Sequence, residues 1–395
     1  MSGGRSASRL TLALPVVPSA EWRGGYNYLL NLTRSLSRFA SSRVVVKVFM
    51  GLDASAEDME GFTALGLDVE KSAVFSRAGW SARQLRAMVL GRDLQALALF
   101  SASSVDVVFE CARFFGWRQP FPSIAWFPDF QHRLLPDMFP AAARLRRDLG
   151  FRLQVSAGRQ LLVSSEDARE DCERFFPVAR GRVHVLRFPA LIEPGDLGVS
   201  AQDVRARYAL PDRFFYLPNQ LWRHKNHTLV IDALGTLQRQ GCPVDVVLTG
   251  VMHDSRCASH ADEINARVRD SGIARRWHVL GSVPRRDVVA LMRSCEAVIN
   301  PSRCEGWSSS VQEALAFDTP LLLSDIAVHR EQAGAHARYF AVDDGETLAS
   351  YLRELSEPGA TGARAREPVI DIDAALAAFA YGFCRIVEAA AAKRM

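Results

Sequence analysis

Lysine is scarce in this 395-residue chain: only four of its 48 basic residues are lysines, at positions 47, 71, 225 and 393. Charge of one sign is scarce as well, because 48 basic and 44 acidic residues leave a net charge of only +4. That surplus is too small to indicate nucleic acid as a partner. A composition of 48% hydrophobic and 23% charged residues excludes a disordered, collagenous or coiled-coil chain and suits two globular domains.

Paired cysteines and long apolar runs are missing too. The seven cysteines are odd in number, and none forms a C-x-x-C pair or lies at metal-ligand spacing from histidine. This pattern predicts free thiols in a reducing compartment, hence a cytoplasmic protein. No apolar run approaches the length of a membrane span. Arg5 and Arg9 precede the apolar residues 10–17, which fit either a short signal peptide or, as we favour, a first buried strand.

Short β-branched runs alternate with helical stretches along the whole chain, a pattern typical of parallel sheets covered on both faces. The predicted strands are 10–17, 44–49, 105–110, 123–127, 160–164, 183–188, 214–218, 244–249, 277–280, 297–300, 321–324 and 337–340. A proline- and glycine-rich stretch, 189–198, separates two halves. We therefore predict an α/β fold of two Rossmann-like domains, 1–190 and 191–372, that face each other across a cleft. A C-terminal helix, 373–395, follows, and a return of this helix to the first domain is one option.

The most informative motif lies in residues 300–315, where a strand ends, the chain turns at Glu305-Gly306 and a helix begins near Ser308. Free backbone N–H groups at a helix start hold phosphate well. Glu305 and Glu313 are too far apart, up to ~12 Å if helical, for the ~5 Å carboxylate pair of a retaining glycosidase. We interpret them as contacts to different parts of one long ligand. In the alternative, Ser310 and Glu313 form a capping box that needs no ligand.

A second motif lies in residues 214–227, where a strand is followed by a polar loop and by a helix near Asn226. Arg223, His224 and Lys225 bring positive charge to the carboxyl end of this strand, and such charge suits a pyrophosphate. The alternative is a solvated loop at a helix start, because charged residues are common in loops.

Together the two motifs resemble the nucleotide-sugar-binding domain of family 4 retaining glycosyltransferases, which have the GT-B fold. The resemblance covers residues 200–340 specifically. It rests on the Glu-x7-Glu pattern at Glu305 and Glu313, the Pro-Ser-x-x-Glu-Gly lead-in, the Lys225-Asn226 pair, Gly250 after a strand and the Gly281-x-Val283 turn.

The resemblance implies a role for each matching residue. Glu305 would bind hydroxyls of the donor sugar, Glu313 the ribose hydroxyls and Lys225 the pyrophosphate. The remaining donor-binding residues implied are Asn219, Arg223, Gly306, Trp307, Ser308, Ser309 and Ser310. Family members commonly carry arginine five residues before the lysine, where this chain has Gln220. Either Arg223 supplies that charge from another position, or the site works with one cation fewer.

The first half is expected to supply part of the reacting site. Gly24 and Gly25 follow the first strand and would let the backbone approach a phosphate, a tight turn being the alternative. In the family a later strand end often carries a His-Asp pair near the reacting sugar. Here Pro128 occupies the histidine position, Asp129 keeps the aspartate, and His132 follows three residues on. We expect Asp129 and His132 to face the cleft as catalytic residues with Glu305; alternatively His132 caps the next helix.

The activity implied by the resemblance is transfer, with retention, of a hexose or deoxyhexose from a nucleotide-diphosphate sugar to a saccharide acceptor in bacterial surface-glycan synthesis, such as lipopolysaccharide. No cofactor or metal is expected, because Lys225 and a helix N-terminus would stabilise the leaving diphosphate. Two alternatives stay open. One is a sugar-nucleotide epimerase or hydrolase, and the other is a non-catalytic glycan-binding or scaffold subunit.

A basic stretch, 141–152, bears on location, because it mixes four arginines with apolar residues. Such a helix can rest on an anionic membrane that carries a lipid-linked acceptor. It can equally be a helix with a solvated basic face, which is the reading we favour. The expected location is the cytoplasm, with peripheral attachment to the inner face of the cytoplasmic membrane as the open alternative.

Overall fold

The computed structural model describes residues 9–254, 256–357 and 366–392. Their contacts divide the chain into two units. The first unit contains the chain up to Phe130, Ala142–Phe188 and the helix from Asp373 onward, and the second contains Gln131–Ala141 and Pro189–Ile372. The chain passes between the units at residues 188 and 189, close to the boundary expected at 190. The segment Gln131–Ala141 groups with the second unit, although the sequence analysis assigned it to the first domain.

Each unit is built on one parallel sheet, as the alternation of apolar runs predicts. The strands are β1 (Leu10–Pro15), β2 (Val44–Met50), β3 (Val69–Lys71), β4 (Val107–Cys111), β5 (Ser123–Trp126), β6 (Gln160–Val163), β7 (Val183–Val185), β8 (Phe215–Leu217), β9 (Val246–Leu248), β10 (Trp277–Val279), β11 (Val298–Asn300), β12 (Leu321–Ser324) and β13 (Ala337–Phe340). The first sheet has the order β3-β2-β1-β4-β5-β6-β7, and the second the order β10-β9-β8-β11-β12-β13.

Helices connect the strands and cover the sheets. They are α1 (Ser19–Phe39), α2 (Ala56–Thr63), α3 (Trp80–Leu90), α4 (Leu94–Ala102), α5 (Gln131–Leu134), α6 (Ala141–Ser156), α7 (Glu166–Phe175), α8 (Ala201–Tyr208), α9 (His227–Arg239), α10 (His260–Asp270), α11 (Arg285–Ser294), α12 (Ser309–Ala316), α13 (Ala327–Ala333), α14 (Gly345–Ser356) and α15 (Ile372–Ala392). Each unit buries apolar side chains on both faces of its sheet, as parallel strands require.

The C-terminal helix α15 corrects one expectation. It is long and apolar enough to cross a membrane by length and composition, which the sequence analysis did not anticipate. Half of its most apolar 18-residue window is buried, however, and Phe379, Phe383 and Val387 belong to the core of the first unit. Arg43 also holds the helix through Glu388, with an Nη2–Oε2 distance of 2.7 Å. The apolar face of α15 is therefore accounted for by packing inside the unit.

The strand order of the second sheet positions a candidate ligand site. The central strand β8 pairs with β9 on one side and with β11 on the other, so the chain order reverses between β8 and β11. Open parallel sheets bind ligands at the carboxyl ends of the strands where the order reverses. The two loops that leave these ends, 218–226 and 301–308, are the loops that carry the two sequence motifs.

Candidate functional site

Buried amide side chains join the two loops at the strand ends. Asn219 donates from Nδ2 to Oδ1 of Asn300 at 3.3 Å, and Asn226 donates to the carbonyls of Pro301 (3.2 Å) and Val342 (2.8 Å). Asn226 adopts a left-handed backbone with φ of 57°, a conformation that asparagine tolerates better than most residues. Asn219, predicted to bind the donor, thus has a clear structural role in holding the loops together.

Lys225 and Glu305 form an ion pair, with 2.5 Å between Nζ and Oε1. The lysine side chain is only 13% exposed and the glutamate 8%. Burial by itself raises the pKa of the Glu305 carboxyl, but electrostatic attraction, chiefly to the Lys225 ammonium, lowers that pKa to about 2. Glu305 is therefore ionised at any physiological pH, and the structure brings together the two side chains that the resemblance assigns to pyrophosphate and sugar.

The N-terminus of helix α12 follows Glu305 along the chain. Ser308 is the N-cap, and its Oγ accepts from the backbone N–H of Val311. Gln332 on α13 fixes the same residue at two points, because it accepts from the Ser308 N–H (3.2 Å) and donates to the Ser308 carbonyl (2.7 Å). The Ser308 amide is therefore engaged, and the next amides, those of Ser309 and Ser310, begin the helix where N–H groups lack intrahelical acceptors.

Glu313 lies one turn further along α12 and does not take part in a capping box. The N-cap of α12 is Ser308 and not Ser310, so the capping alternative is wrong. Oε1 of Glu313 instead lies 2.7 Å from Nη1 of Arg285 on α11. The pair forms because Glu313 is only 14% exposed and a buried carboxylate needs a cation. Burial raises the pKa of Glu313, and Arg285 opposes that effect. The carboxylate is thus oriented by Arg285 and can accept hydrogen bonds with its remaining lone pairs.

Gly306 and Ser310 are buried, whereas Trp307 is half-buried and Ser309 is exposed. Arg223 is exposed, and its backbone N–H donates to Oδ2 of Asp254 at 3.1 Å. The exposed side chain of Arg223 is not fixed by that backbone contact. Gly250, part of the family pattern, has φ of +125°, and a Cβ there would lie 3.0 Å from the Gln220 backbone nitrogen. Glycine at 250 thus lets two loops approach closely.

Arg256, in the loop after β9, is a clamp that the sequence analysis did not identify. Its guanidinium lies 4.9 Å from the ring centre of Trp222 and 5.0 Å from that of Phe139. It also donates to Asp254 at 2.9 Å and lies 3.3 Å from Nδ1 of His224. Because an arginine only donates, Nδ1 of His224 is the acceptor. Nε2 of His224 lies 3.4 Å from Nε2 of Gln131, so Arg256 contacts the segment Gln131–Ala141 directly at Phe139, and His224 contacts it at Gln131.

Gly24 and Gly25, predicted to lie in a loop between β1 and a helix, belong instead to α1, which has a kink at Trp22 (φ −155°, ψ 85°). A Cβ on Gly25 would lie 2.3 Å from Cε3 of Trp22, so glycine is required there by ring packing alone. Trp22 in turn stacks on Trp126, with 5.1 Å between ring centres. Gly24 is exposed, and a Cβ at this position would lie 3.5 Å from Nε1 of Trp22.

Asp129 and His132 fall in different units. Asp129 follows β5 and accepts from Arg147 on α6, with 2.7 Å between Oδ1 and Nη2. His132 lies inside the short helix α5 and is 2% exposed, so the alternative in which it caps the next helix is wrong. A second arginine of α6, Arg152, pairs with Asp148 at 2.5 Å. Two of the four arginines of the basic stretch are therefore engaged within the first unit.

Among the described residues, no cluster of three or more histidine, cysteine, aspartate or glutamate side chains is arranged to hold a metal ion. The positive groups at the carboxyl edge of the second sheet are protein side chains and helix amides. Arg256, Arg285, His329 and Gln332 support the predicted residues and were not found from sequence. Each of these residues acts through a partner that is close only in the folded chain, so no spacing in the sequence could have identified it.

Two parallel Rossmann-like sheets, one in each unit, are the architecture of the GT-B fold. Residues 202–367 match the family model described as glycosyl transferases group 1. The match covers the strands and loops that carry Lys225, Glu305 and Glu313. It confirms the glycosyltransferase resemblance for the second unit.

Solved structures show the same fold along the whole chain. A glycosyltransferase from Rickettsia africae has a TM-score of 0.66 at 10% identity, covering 97% of this chain and 94% of that chain. HepE of Anabaena in complex with UDP-glucose has a TM-score of 0.60 at 17% identity, with 98% and 99% covered. WaaG, a glycosyltransferase involved in lipopolysaccharide biosynthesis, has a TM-score of 0.59 at 14% identity, with 96% and 95% covered. The predicted GT-B fold is confirmed.

Proposed function

We propose that this protein is a retaining, metal-independent glycosyltransferase that moves a hexose or deoxyhexose from a nucleotide-diphosphate sugar to a saccharide hydroxyl. The observation that carries the proposal is the buried Lys225–Glu305 pair beside the N-terminus of α12, within the matched residues. The UDP-glucose bound to HepE supports a nucleotide-sugar donor, and the pathway of WaaG supports a surface-glycan acceptor, lipid-linked or free.

The donor would be held along the carboxyl edge of the second sheet. Lys225 exchanges the Glu305 carboxylate for the diphosphate, which the first amides of α12 also bind. Glu305 then accepts hydrogen bonds from sugar hydroxyls, and Glu313, oriented by Arg285, accepts them from the ribose. Arg256, already paired with Asp254, supports this site through His224 and does not replace the arginine absent at position 220.

The reaction needs no nucleophilic side chain. The acceptor oxygen attacks the anomeric carbon on the face from which the diphosphate departs, the bond between that carbon and the phosphate oxygen breaks, and the acceptor proton passes to that phosphate oxygen. Configuration is retained because attack and departure share one face. Lys225 and the helix amides stabilise the charge that develops on the diphosphate. Asp129 and His132 are proposed to act on the acceptor, so their replacement should raise KM for the acceptor more than for the donor.

The test is a transfer reaction in EDTA with nucleotide sugars and oligosaccharide acceptors, followed by NMR of the new anomeric centre. Retained configuration without added metal supports the proposal, and Glu305→Ala should abolish turnover while the protein stays folded. Inverted configuration or a strict metal requirement would refute the mechanism. Donor hydrolysis without transfer would indicate a hydrolase, and glycan binding without nucleotide binding would indicate a scaffold subunit.

We also propose a cytoplasmic location, with peripheral attachment to the inner face of the membrane. All seven cysteines are free thiols, which suits a reducing compartment. On α6, Leu145 is 72% and Leu149 44% exposed beside the exposed Arg146, a combination that suits an anionic lipid surface. Co-sedimentation with phosphatidylglycerol vesicles should exceed that with neutral vesicles and weaken in Leu145→Ser. Equal recovery in both lipids would refute attachment through α6.

A further inference from the structure

His329 on α13 has one ring nitrogen engaged and one without a partner. Nδ1 lies 2.9 Å from the backbone carbonyl oxygen of Ser324 and 3.1 Å from its hydroxyl. A carbonyl oxygen only accepts, so Nδ1 carries the proton and donates it. The ring is fully buried, and Nε2 has no hydrogen-bond partner among the described residues. The neutral ring therefore presents a bare lone pair at a buried position.

The His329 ring lies near the two charged residues of the donor site. The side-chain charges that act on the His329 ring are those of Glu305 and Lys225. The Ser324 hydroxyl that contacts Nδ1 also donates to the backbone carbonyl of Ser302, in the loop that leads to Glu305. His329 is thus built into the wall of the site through its Nδ1 side.

A buried acceptor without a donor is unfavourable, because it has lost its hydrogen bond to water and gained none in the protein. Among the described residues no side chain supplies that donor, so the missing hydrogen bond points to a ligand group that donates. The groups on a nucleotide sugar that donate next to Glu305 are the hydroxyls of the sugar. Phosphate oxygens are acceptors at neutral pH and would be repelled by the lone pair.

We propose that His329 is a sugar-specificity residue whose Nε2 accepts a hydrogen bond from a hydroxyl of the donor sugar. This inference rests on the proposed function. When the diphosphate draws the Lys225 ammonium away from Glu305, the carboxylate also loses its donor, and Glu305 and Nε2 are then two acceptors without donors. Two hydroxyls of one sugar satisfy both acceptors, so the site selects a sugar that carries both. Leaving Nε2 unpaired is the reason why a donor that lacks the matching hydroxyl binds less well.

The test separates sugar binding from diphosphate binding. In His329→Asn the side-chain amide N–H replaces the Nδ1 donor to Ser324, while the acceptor at the Nε2 position is lost. Calorimetry measures affinity for UDP-glucose and UDP, and for GDP-mannose and GDP. We expect His329→Asn to bind the sugar-bearing ligand about tenfold more weakly and the bare diphosphate within twofold of wild type. His336→Asn, at an exposed histidine just after α13, is the matched control and should change neither affinity.

Each other outcome has a definite meaning. Equal weakening for diphosphate and nucleotide sugar would show a structural role only and overturn the inference, as would unchanged affinity for both. His329→Gln can return an acceptor to the Nε2 position and should recover part of the affinity for the nucleotide sugar. If His329→Gln melts normally but binds the nucleotide sugar as weakly as His329→Asn, that result would also count against the inference. If the wild-type protein binds none of UDP, GDP, dTDP, CDP and ADP, with or without an attached sugar, the proposed function fails first and the inference falls with it.

Discussion

The Lys225–Glu305 pair allows a quantitative prediction about stability. Removing the lysine charge with Lys225→Met leaves a carboxylate that is only 8% exposed without its cation. The pKa of Glu305 is lowered from 4.5 to about 2, which corresponds to ~3 kcal/mol of interaction that favours the ionised form. Breaking a buried pair on one side costs about 3–5 kcal/mol in general. We therefore expect Lys225→Met to lower the free energy of unfolding by about 3 kcal/mol at pH 7.

The assay is urea denaturation of wild type, Lys225→Met, Glu305→Gln and the double variant. The double variant should lose less than the sum of the single losses, because neither partner is left buried alone. Arg330→Met is the matched control: its pair with Asp325 has a similar N–O distance, 2.6 Å, but the two side chains are 57% and 41% exposed, so the loss should be small. A loss for Lys225→Met no larger than for this control would show that the Lys225–Glu305 pair stabilises the fold no more than an exposed pair does.

The pH dependence of the pair follows from the sign of the shift. The folded pKa of Glu305 lies below its unfolded value of 4.5. The stabilisation from Glu305 is therefore complete above pH 4.5 and is lost only as the pH falls from 4.5 towards 2. Wild-type stability should show no loss from this group between pH 7 and pH 5.

Three further predictions can be checked with simple variants. Burial, with the charge of His260, lowers the pKa of His227 to about 3. Below pH 6.5 only the unfolded state takes up a proton at this histidine, so the free energy of unfolding should fall by ~2 kcal/mol between pH 7 and pH 5. His227→Asn should flatten this pH dependence of stability. An unchanged slope in that variant would contradict the assignment. Arg256→Ala should accelerate amide exchange in residues 131–141, because two cation–π contacts and the His224 contact are lost, whereas Arg239→Ala on the exposed end of α9 should not. Equal exchange in both would rule out the clamp. Replacing Arg285 with methionine should raise the KM for the donor without changing the affinity for the acceptor, because Glu313 loses its orienting cation; an unchanged KM would remove Arg285 from the site.

The sheets could be predicted from sequence because buried parallel strands consist of near-continuous apolar residues. The sequence Val-Val-Phe-Glu-Cys of β4 illustrates this, since all five residues are buried. Within the part of the chain that the structure describes, the strand that was not predicted is β3, an edge strand of sequence Val-Glu-Lys that is only partly buried and lacks the apolar pattern. The end of the strand and the start of the helix around the two motifs were also predictable, because polar loops interrupt the apolar pattern there.

The side-chain partners could not be predicted, because they come from distant parts of the chain. Glu313 finds Arg285 on a neighbouring helix, and Ser308 finds Gln332. From sequence alone the carboxylate of Glu313 fitted a local capping box equally well. Gly25 illustrates the same limit: the pattern indicated a phosphate loop, whereas the structure shows a ring of Trp22 packed against the glycine within a kinked helix. Local spacing identifies a residue type suited to a role, and only the fold shows which partner it has.

A nucleotide-diphosphate site formed around Lys225 is tested by a thermal shift with UDP, GDP, dTDP, CDP and ADP in EDTA. We expect a selective rise in Tm with one diphosphate for wild type and for Arg330→Met, and no rise for Lys225→Met. No rise with any diphosphate, or a rise of the same size in Lys225→Met, would show that Lys225 does not form such a site.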